Sequence, residues 1–178
     1  MSTLYLRHYR QEDVRNAGAV EEIDAEVEEQ IDGMLSLLRK TRYPAIAGPQ
    51  VGLYRRIIAV DLSRAGRSPV VLINPEVEAV SLERQIDLEG CLLLPGLMAR
   101  VARAERVTVR GLARTGHPVR IEAGGLLARI LQHQIDHLDG TLILDRVDTT
   151  QRALLARRAR VQVPRCFLPE SRLVGVAG

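Results

Sequence analysis

The chain has 178 residues, 46% of them hydrophobic and 26% charged, with a formal net charge of +3. This suits one globular domain with a real core, and it is too mildly basic to argue for DNA or other nucleic acid as a substrate. No apolar run approaches the length of a membrane span, and Met1 is not followed by a signal-peptide pattern, so neither membrane insertion nor export is expected. Two cysteines, Cys91 and Cys166, make no disulfide framework, and the expected compartment is the reducing cytoplasm.

Aromatic residues are only 3% of the chain and Trp is absent, so the core has to be built from Val, Leu, Ile and Ala. Residues 1–20 show little periodicity and read as an irregular arm. Asp24 to Arg42 reads as an amphipathic helix, with Val27, Ile31, Met34, Leu35 and Leu38 on one face. Acids (Glu26, Glu28, Glu29) crowd its start and bases (Arg39, Lys40, Arg42) its end, as the helix dipole favours. Tyr43 to Gly52 follows as a loop of small residues with two prolines, where a ligand or another backbone could approach closely. From Arg56 the pattern becomes that of strands. Arg56 to Asp61 is rich in Ile and Val, and Val70 to Asn74 is an apolar run that Pro75 should stop. Glu76 to Ser81, Val101 to Leu112 (broken near Ala104) and Pro118 to Ile121 continue the series, with turn signals at Arg64 to Ser68 and at Thr115-Gly116.

A second helix is expected from about Gly125 to Leu138, with Leu126, Leu127, Ile130 and Leu131 as its apolar stripe and Gly140 as its C-terminal cap. Leu142 to Leu144 reads as one more short strand, and Thr149 or Thr150 as the cap of a last helix running to about Arg160. Helix, then many short strands, then helix is the order of an α+β fold rather than of alternating βαβ units. No internal repeat or low-complexity block divides the chain, so residues 1–160 read as a single domain and residues 161–178, which include Cys166, as an extension or tail.

The chemistry concentrates on the second helix. His133 and His137 are four residues apart in His133-Gln134-Ile135-Asp136-His137, which stacks two imidazoles on one helical face within reach of one metal ion. Alone, such a pair is more often two ordinary, partly buried histidines, and a site needs a third ligand. Cys91, in Leu88-Glu89-Gly90-Cys91-Leu92-Leu93-Leu94-Pro95-Gly96, suits a strand–loop junction. A lone cysteine is usually a small core hydrophobe. Joined to the histidines, it completes a three-ligand set with the fourth position left for water, the pattern of a catalytic rather than a structural ion.

With these three stretches in hand, the chain resembles peptide deformylase. The family's G-x-G-x-A-A-P-Q loop stands here as Tyr43 to Gln50, its E-G-C-x-S as Glu89 to Leu93, and its H-E-x-D-H as His133 to His137, in matching order and spacing. The likeness runs from about residue 5 to about residue 160, through Ile73-Asn74-Pro75-Glu76 and Arg103-Ala104-Glu105-Arg106.

The resemblance implies a fold of short antiparallel strands around a central helix that carries the two histidines. It implies that Cys91, His133 and His137 bind one divalent ion: Fe(II) in the family, with Zn(II), Ni(II) or Co(II) as substitutes. Such an ion lowers the pKa of a bound water, which attacks the formyl carbonyl of an N-formylated peptide. Gln50 and the backbone N–H of Leu92 would hold the developing oxyanion. Ala45, Ile46, Ala47, Gly48, Leu93 and Leu94 would flank the extended substrate. Glu89 and Asp136 would orient ligands from behind. The family also contacts the ribosome through its last helix, where Arg152, Arg157, Arg158 and Arg160 would meet RNA phosphates, although a solvated basic face is the plainer reading.

Every motif departs from the family pattern. Gln134 stands where the general-base glutamate belongs, and an amide has no useful proton affinity at neutral pH. Tyr43 and Ala45 replace two glycines, Gly48 an alanine and Leu93 the serine. Several independent departures point to natural divergence rather than to one engineered change. Two functions from different classes follow. One is a metal-dependent hydrolase of formyl amides with reduced or altered activity. The other is a catalytically inactive paralogue that keeps the metal site to bind peptides or partners.

Overall fold

The computed structural model describes residue 4 and residues 16–41, 43–61 and 68–159, apart from the side chains at 156, 158 and 159. The first helix, α1 (Ala25–Lys40), starts where Asp24 turns its carboxylate back onto the Val27 N–H at 2.8 Å, and the acid-first, base-last charge order follows. Its buried residues, Val27, Ile31, Met34 and Leu38, step by four, three and four, which is one stripe of a 3.6-residue helix. The helix ends at Lys40, where the Thr41 N–H and hydroxyl both bond the Leu38 carbonyl.

The strands are β1 (Ala45–Ala47), β2 (Ile57–Val60), β3 (Val70–Val80), β4 (Arg84–Cys91), β5 (Leu94–Ala104), β6 (Arg106–Leu112) and β7 (Pro118–Gly124). Five form one antiparallel sheet in the order β1-β2-β3-β6-β7, while β4 and β5 pair as a separate hairpin. A central helix, α2 (Gly125–Leu138), carries both histidines, and α3 (Thr149–Ala159) closes the described chain. Helices and antiparallel strands thus combine as an α+β fold.

Alternation along the strands explains how two helices cover one sheet. Ala45, Ala47, Ile58, Val60 and Leu72 pack with Leu131, Ile135 and Leu138 of α2. Their sequence neighbours Ile46, Ile57, Ala59, Val71 and Ile73 pack with Val27, Ile31 and Met34 of α1. Successive side chains of a strand point to opposite faces, so β1, β2 and the start of β3 are buried on both and read as unbroken apolar runs. A third cluster joins the hairpin to the chain after α2, with Cys91, Leu93, Leu94 and Val101 against Leu142, Ile143, Leu144 and Leu155.

Several expectations need correction. The loop at Tyr43 to Gly52 is ordered as β1 and a 3-10 turn, Gly48–Val51. Pro75 does not end its strand. A register shift between Ile73 and Glu76 takes the proline out of the ladder, where its missing N–H costs nothing, and Asn74 adopts φ 51° there. Asn74 is held in that conformation because its side chain bonds both the N–H and the carbonyl of Val20 at 2.9 Å. Leu142 to Leu144 is no strand but leads into a 3-10 turn, Ile143–Asp145, in which the Asp145 carboxylate accepts the Leu142 N–H. The last helix is capped by Asp148, whose carboxylate takes the Gln151 N–H at 2.8 Å, and not by a threonine. Leu126, placed on the apolar stripe of α2, is 71% exposed. Gly140 does follow α2 with φ 64°, the left-handed conformation of a helix-ending glycine. Of the expected arm, Asn16 to Val20 is irregular, tied by bridges to Asp139 and Arg55. The rest of the arm beyond residue 4, Arg42, the turn signal before Ser68, Arg160 and the tail with Cys166 lie outside the described residues.

Candidate metal centre

Cys91 ends β4 and is followed by the turn Leu92-Leu93 into β5, the strand–loop junction expected from the sequence. His133 and His137 lie one helical turn apart on the buried side of α2. The fold brings these three together. The Cys91 Sγ lies 3.2 Å from His137 Nε2, which lies 3.1 Å from His133 Nε2. The imidazoles meet edge to face with centroids 4.7 Å apart. All three donor atoms fall within 4.8 Å of one another, and all three residues are buried.

Donors bound at ~2.0–2.3 Å to one tetrahedral ion stand about 3.3–3.6 Å apart, so the separations of 3.2 and 3.1 Å on either side of His137 lie close to those of a bound divalent cation. Its electrostatics agree. Burial alone would push the Cys91 thiol up, but the imidazoles of His137 and His133 bring it down to about 5. Burial alone would lower His133, but Cys91 and Glu89 raise it to about 9. The cluster therefore favours a thiolate and draws positive charge to its centre, where binding of a cation would release the proton.

Glu89 and Asp136 lie behind the donors. The Glu89 carboxylate accepts from His133 Nδ1 at 2.8 Å, from Arg103 at 2.9 and 3.0 Å, and from Arg129 at 2.7 Å. Burial would raise its pKa, yet the bonds from His133 and Arg103 hold it well below the usual carboxylate range. Asp136 accepts from Arg103 at 2.5 Å and from Arg146. Two buried carboxylates are thus matched by two buried guanidiniums, which burial of charge demands.

In front of the donors is an apolar cleft of ≈ 270 Å³. Tyr43, Ala45, Gln50, Leu88, Leu94, Leu97, Met98, Leu126, Ile130 and Gln134 are among the residues that line it, beside Cys91 and His133. Gln50 is 1% exposed and oriented on both sides. Its Oε1 accepts the Ala47 N–H at 2.8 Å, which turns Nε2 toward Cys91 Sγ, 3.9 Å away. Gln134 is 5% exposed and belongs to the cleft lining, and its buried Oε1 has no hydrogen-bond partner among the described residues.

Of the substrate-flanking candidates, Ala45 and Leu94 line the cleft. Ile46 faces α1 and Leu93 packs against Leu142 to Leu144, while Ala47 and Gly48 are buried off the lining. Leu92 is buried beside the α1 cluster. Of the basic residues on α3, Arg152 pairs with Asp145 at 3.0 Å and Arg157 is exposed. Among the described residues no helix is long and apolar enough to cross a membrane.

Arg129 and the role of Arg103 escaped the sequence reading. The available signal was a charge inside an apolar segment: Arg129 between Ala128 and Ile130, and Arg103 between two alanines after Val101.

Comparison with known proteins gives a consistent answer. The family model for polypeptide deformylase matches residues 10–153. A peptide deformylase of Thermodesulfovibrio yellowstonii is 40% identical over 165 residues, 91% of this chain and 99% of that protein. A protein named peptide deformylase 2 of Gloeobacter violaceus is 44% identical over 128 residues, 71% and 68% of the two chains. Among solved structures, a Synechococcus elongatus peptide deformylase in complex with actinonin superposes with a TM-score of 0.83 at 35% identity, covering 90% of this chain and 89% of that one. One from Legionella pneumophila does so at 0.82 and 32%, covering 89% and 94%.

Proposed function

The chain belongs to the polypeptide deformylase family of metal-dependent hydrolases, and we propose that it removes formyl groups from N-formylmethionyl peptides or a related small N-formylated substrate, at a reduced rate. The observation that carries this reading is the convergence of Cys91, His133 and His137 at the wall of an apolar cleft, with the Gln50 amide aimed at the same point. One thiolate and two imidazoles suit a first-row divalent ion. Ferrous iron is the family's choice, with zinc, nickel or cobalt able to take its place. Held there, the ion would supply Lewis acidity and lower the pKa of a coordinated water.

The rest of the work falls to the chain's own groups. Gln50 Nε2 has its orientation fixed before substrate arrives and donates to the oxyanion that develops on the formyl carbonyl. The Leu92 N–H supplies the second donor from the turn after Cys91. A fixed donor of this kind contributes about 3 kcal/mol to the transition state. The apolar walls, Leu94, Leu97, Met98 and Ile130 among them, take an apolar side chain and exclude water. Gln134 Oε1 accepts a hydrogen bond from the attacking water. Its amide cannot carry that proton to the leaving amine, so the acid–base part of the rate is missing.

Gln134 also favours a second reading, a binding protein that retains formylated peptides without turning them over. One experiment separates the two: anaerobic loading with ferrous iron or nickel, then formyl-methionyl-peptide hydrolysis beside Cys91→Ser. Slow hydrolysis that needs both the metal and Cys91 supports the enzyme. Saturable peptide binding with no release of formate supports the binder. A protein that takes up no metal and binds no formylated peptide refutes both.

A further inference from the structure

Behind the donor set, a single side chain ties together the two elements that present it. Arg103, on β5 and 4% exposed, uses all three of its nitrogens. Its Nε and Nη2 bond the two Glu89 oxygens at 2.9 and 3.0 Å, and its Nη1 bonds Asp136 Oδ2 at 2.5 Å. Glu89 sits on β4 two residues before Cys91. Asp136 sits on α2 directly before His137 and three residues after His133. Arg129 also reaches Glu89, but its other bonds go to the backbone carbonyls of Val101 and Gln85, so it fastens α2 to the hairpin without touching Asp136. Arg146 reaches Asp136 and not Glu89.

We propose that Arg103 is a positioning residue for the metal donors, setting the spacing between Cys91 and the two histidines and fixing which nitrogen His133 presents. The proposal rests on reading Cys91, His133 and His137 as a metal site. The planar guanidinium fork matches both oxygens of Glu89 and so fixes the plane of that carboxylate. A carboxylate held 2.8 Å from His133 Nδ1 accepts its N–H, which leaves Nε2 as the nitrogen that faces His137 and would give up its proton to a bound cation. The third nitrogen, on Asp136, keeps the last turn of α2 at a set distance from β4. Neither effect requires Arg103 to touch substrate or ion.

The test is cobalt(II) binding by the full-length protein, followed by titration and by the visible absorption bands, with thermal midpoints measured in parallel. Arg103→Lys keeps the charge but reaches only one carboxylate. It is expected to weaken cobalt binding about 10–100-fold and to change the bands. Asp136→Asn, which keeps the shape but loosens the Arg103 contact on the α2 side, is expected to act in the same direction. Wild-type affinity and spectrum in either folded variant overturns the proposal, even if its midpoint falls, because a purely structural arginine would lower stability alone. Failure of both variants to fold assigns the network to the fold and likewise overturns it. Wild-type protein that takes up no cobalt overturns the metal reading itself, and this proposal with it.

Discussion

The substitution Gln134→Glu tests the reading of the site most directly. Glutamate is nearly isosteric with glutamine, and Gln134 is 5% exposed at the cleft wall with no hydrogen bond on its Oε1 among the described residues, so the variant requires no repacking. The buried cations Arg103 and Arg129 are engaged by Glu89, and Arg103 by Asp136 as well. The new carboxylate gains no ion pair from them and is free to take a proton and return it to the leaving amine, as a general base must. Recovering acid–base catalysis is worth about 10²–10⁴ in rate, or roughly 3–5.5 kcal/mol of barrier at 1.36 kcal/mol per decade. The assay is formate release from a formyl-methionyl tripeptide by both proteins, loaded anaerobically with the same metal and matched for bound metal. The expected result is that kcat rises within that range while metal content stays equal. Equal rates in two fully loaded proteins would refute the reasoning and move the defect to the substrate cleft. A wild-type rate already as fast as the variant's would show that this site does not need the glutamate.

Gly48→Ala should cost about 1–3 kcal/mol in chemical denaturation, because an added Cβ would lie 2.6 Å from the Leu53 carbonyl oxygen and 2.7 Å from that of Arg55. Unchanged stability would show that the turn gives way. Metal loading at about 100 times its dissociation constant should stabilise the fold by roughly 2.7 kcal/mol. A chelator should abolish that gain, and Cys91→Ala should never show it; the same gain in Cys91→Ala would place the ion elsewhere. Arg114 bonds both Glu28 at 2.5 Å and Asp32 at 2.6 Å on α1, and the second bond lowers the Asp32 pKa below its ordinary 3.8. A depressed carboxylate stabilises the folded state above its unfolded pKa and loses that contribution as pH falls through the folded value. The stability gap between wild type and Arg114→Met should therefore be present at pH 7 and shrink in acid below 3.8. A gap that stays constant down to pH 2 would mean that Arg114 contributes through packing and not through its ion pairs.

What the sequence determined by itself was everything written at short range. The stripe Val27, Ile31, Met34, Leu38 and the charge order around it specify α1 to within two residues, and the structure makes Asp24 its cap. Apolar spacing and the closing Gly140 delimit α2, and a four-residue interval puts His133 and His137 on one face. The family resemblance carried by the three motifs added Cys91 as third ligand, Gln50, and the glutamate position that Gln134 fills. Strand limits were harder to read where burial did not alternate. Beyond the junction at Cys91, β4 has no strand signal in the sequence, because its apolar residues Ile86 and Leu88 are 66% and 51% exposed among charged neighbours. Pro75 was misread because only the pairing with β6 shows the register shift that accommodates it.

The family resemblance pointed to Glu89 and Asp136 behind the donors, and tertiary structure alone decided what holds them. Arg103 meets Glu89 across 14 residues and Asp136 across 33, Arg129 meets Glu89 across 40, and His133 meets Glu89 across 44. No local pattern marks such partners. Buried charges are selected by which opposite charge the fold brings within hydrogen-bond reach, and that depends on how the β4–β5 hairpin packs against α2, not on the residues beside them in the chain.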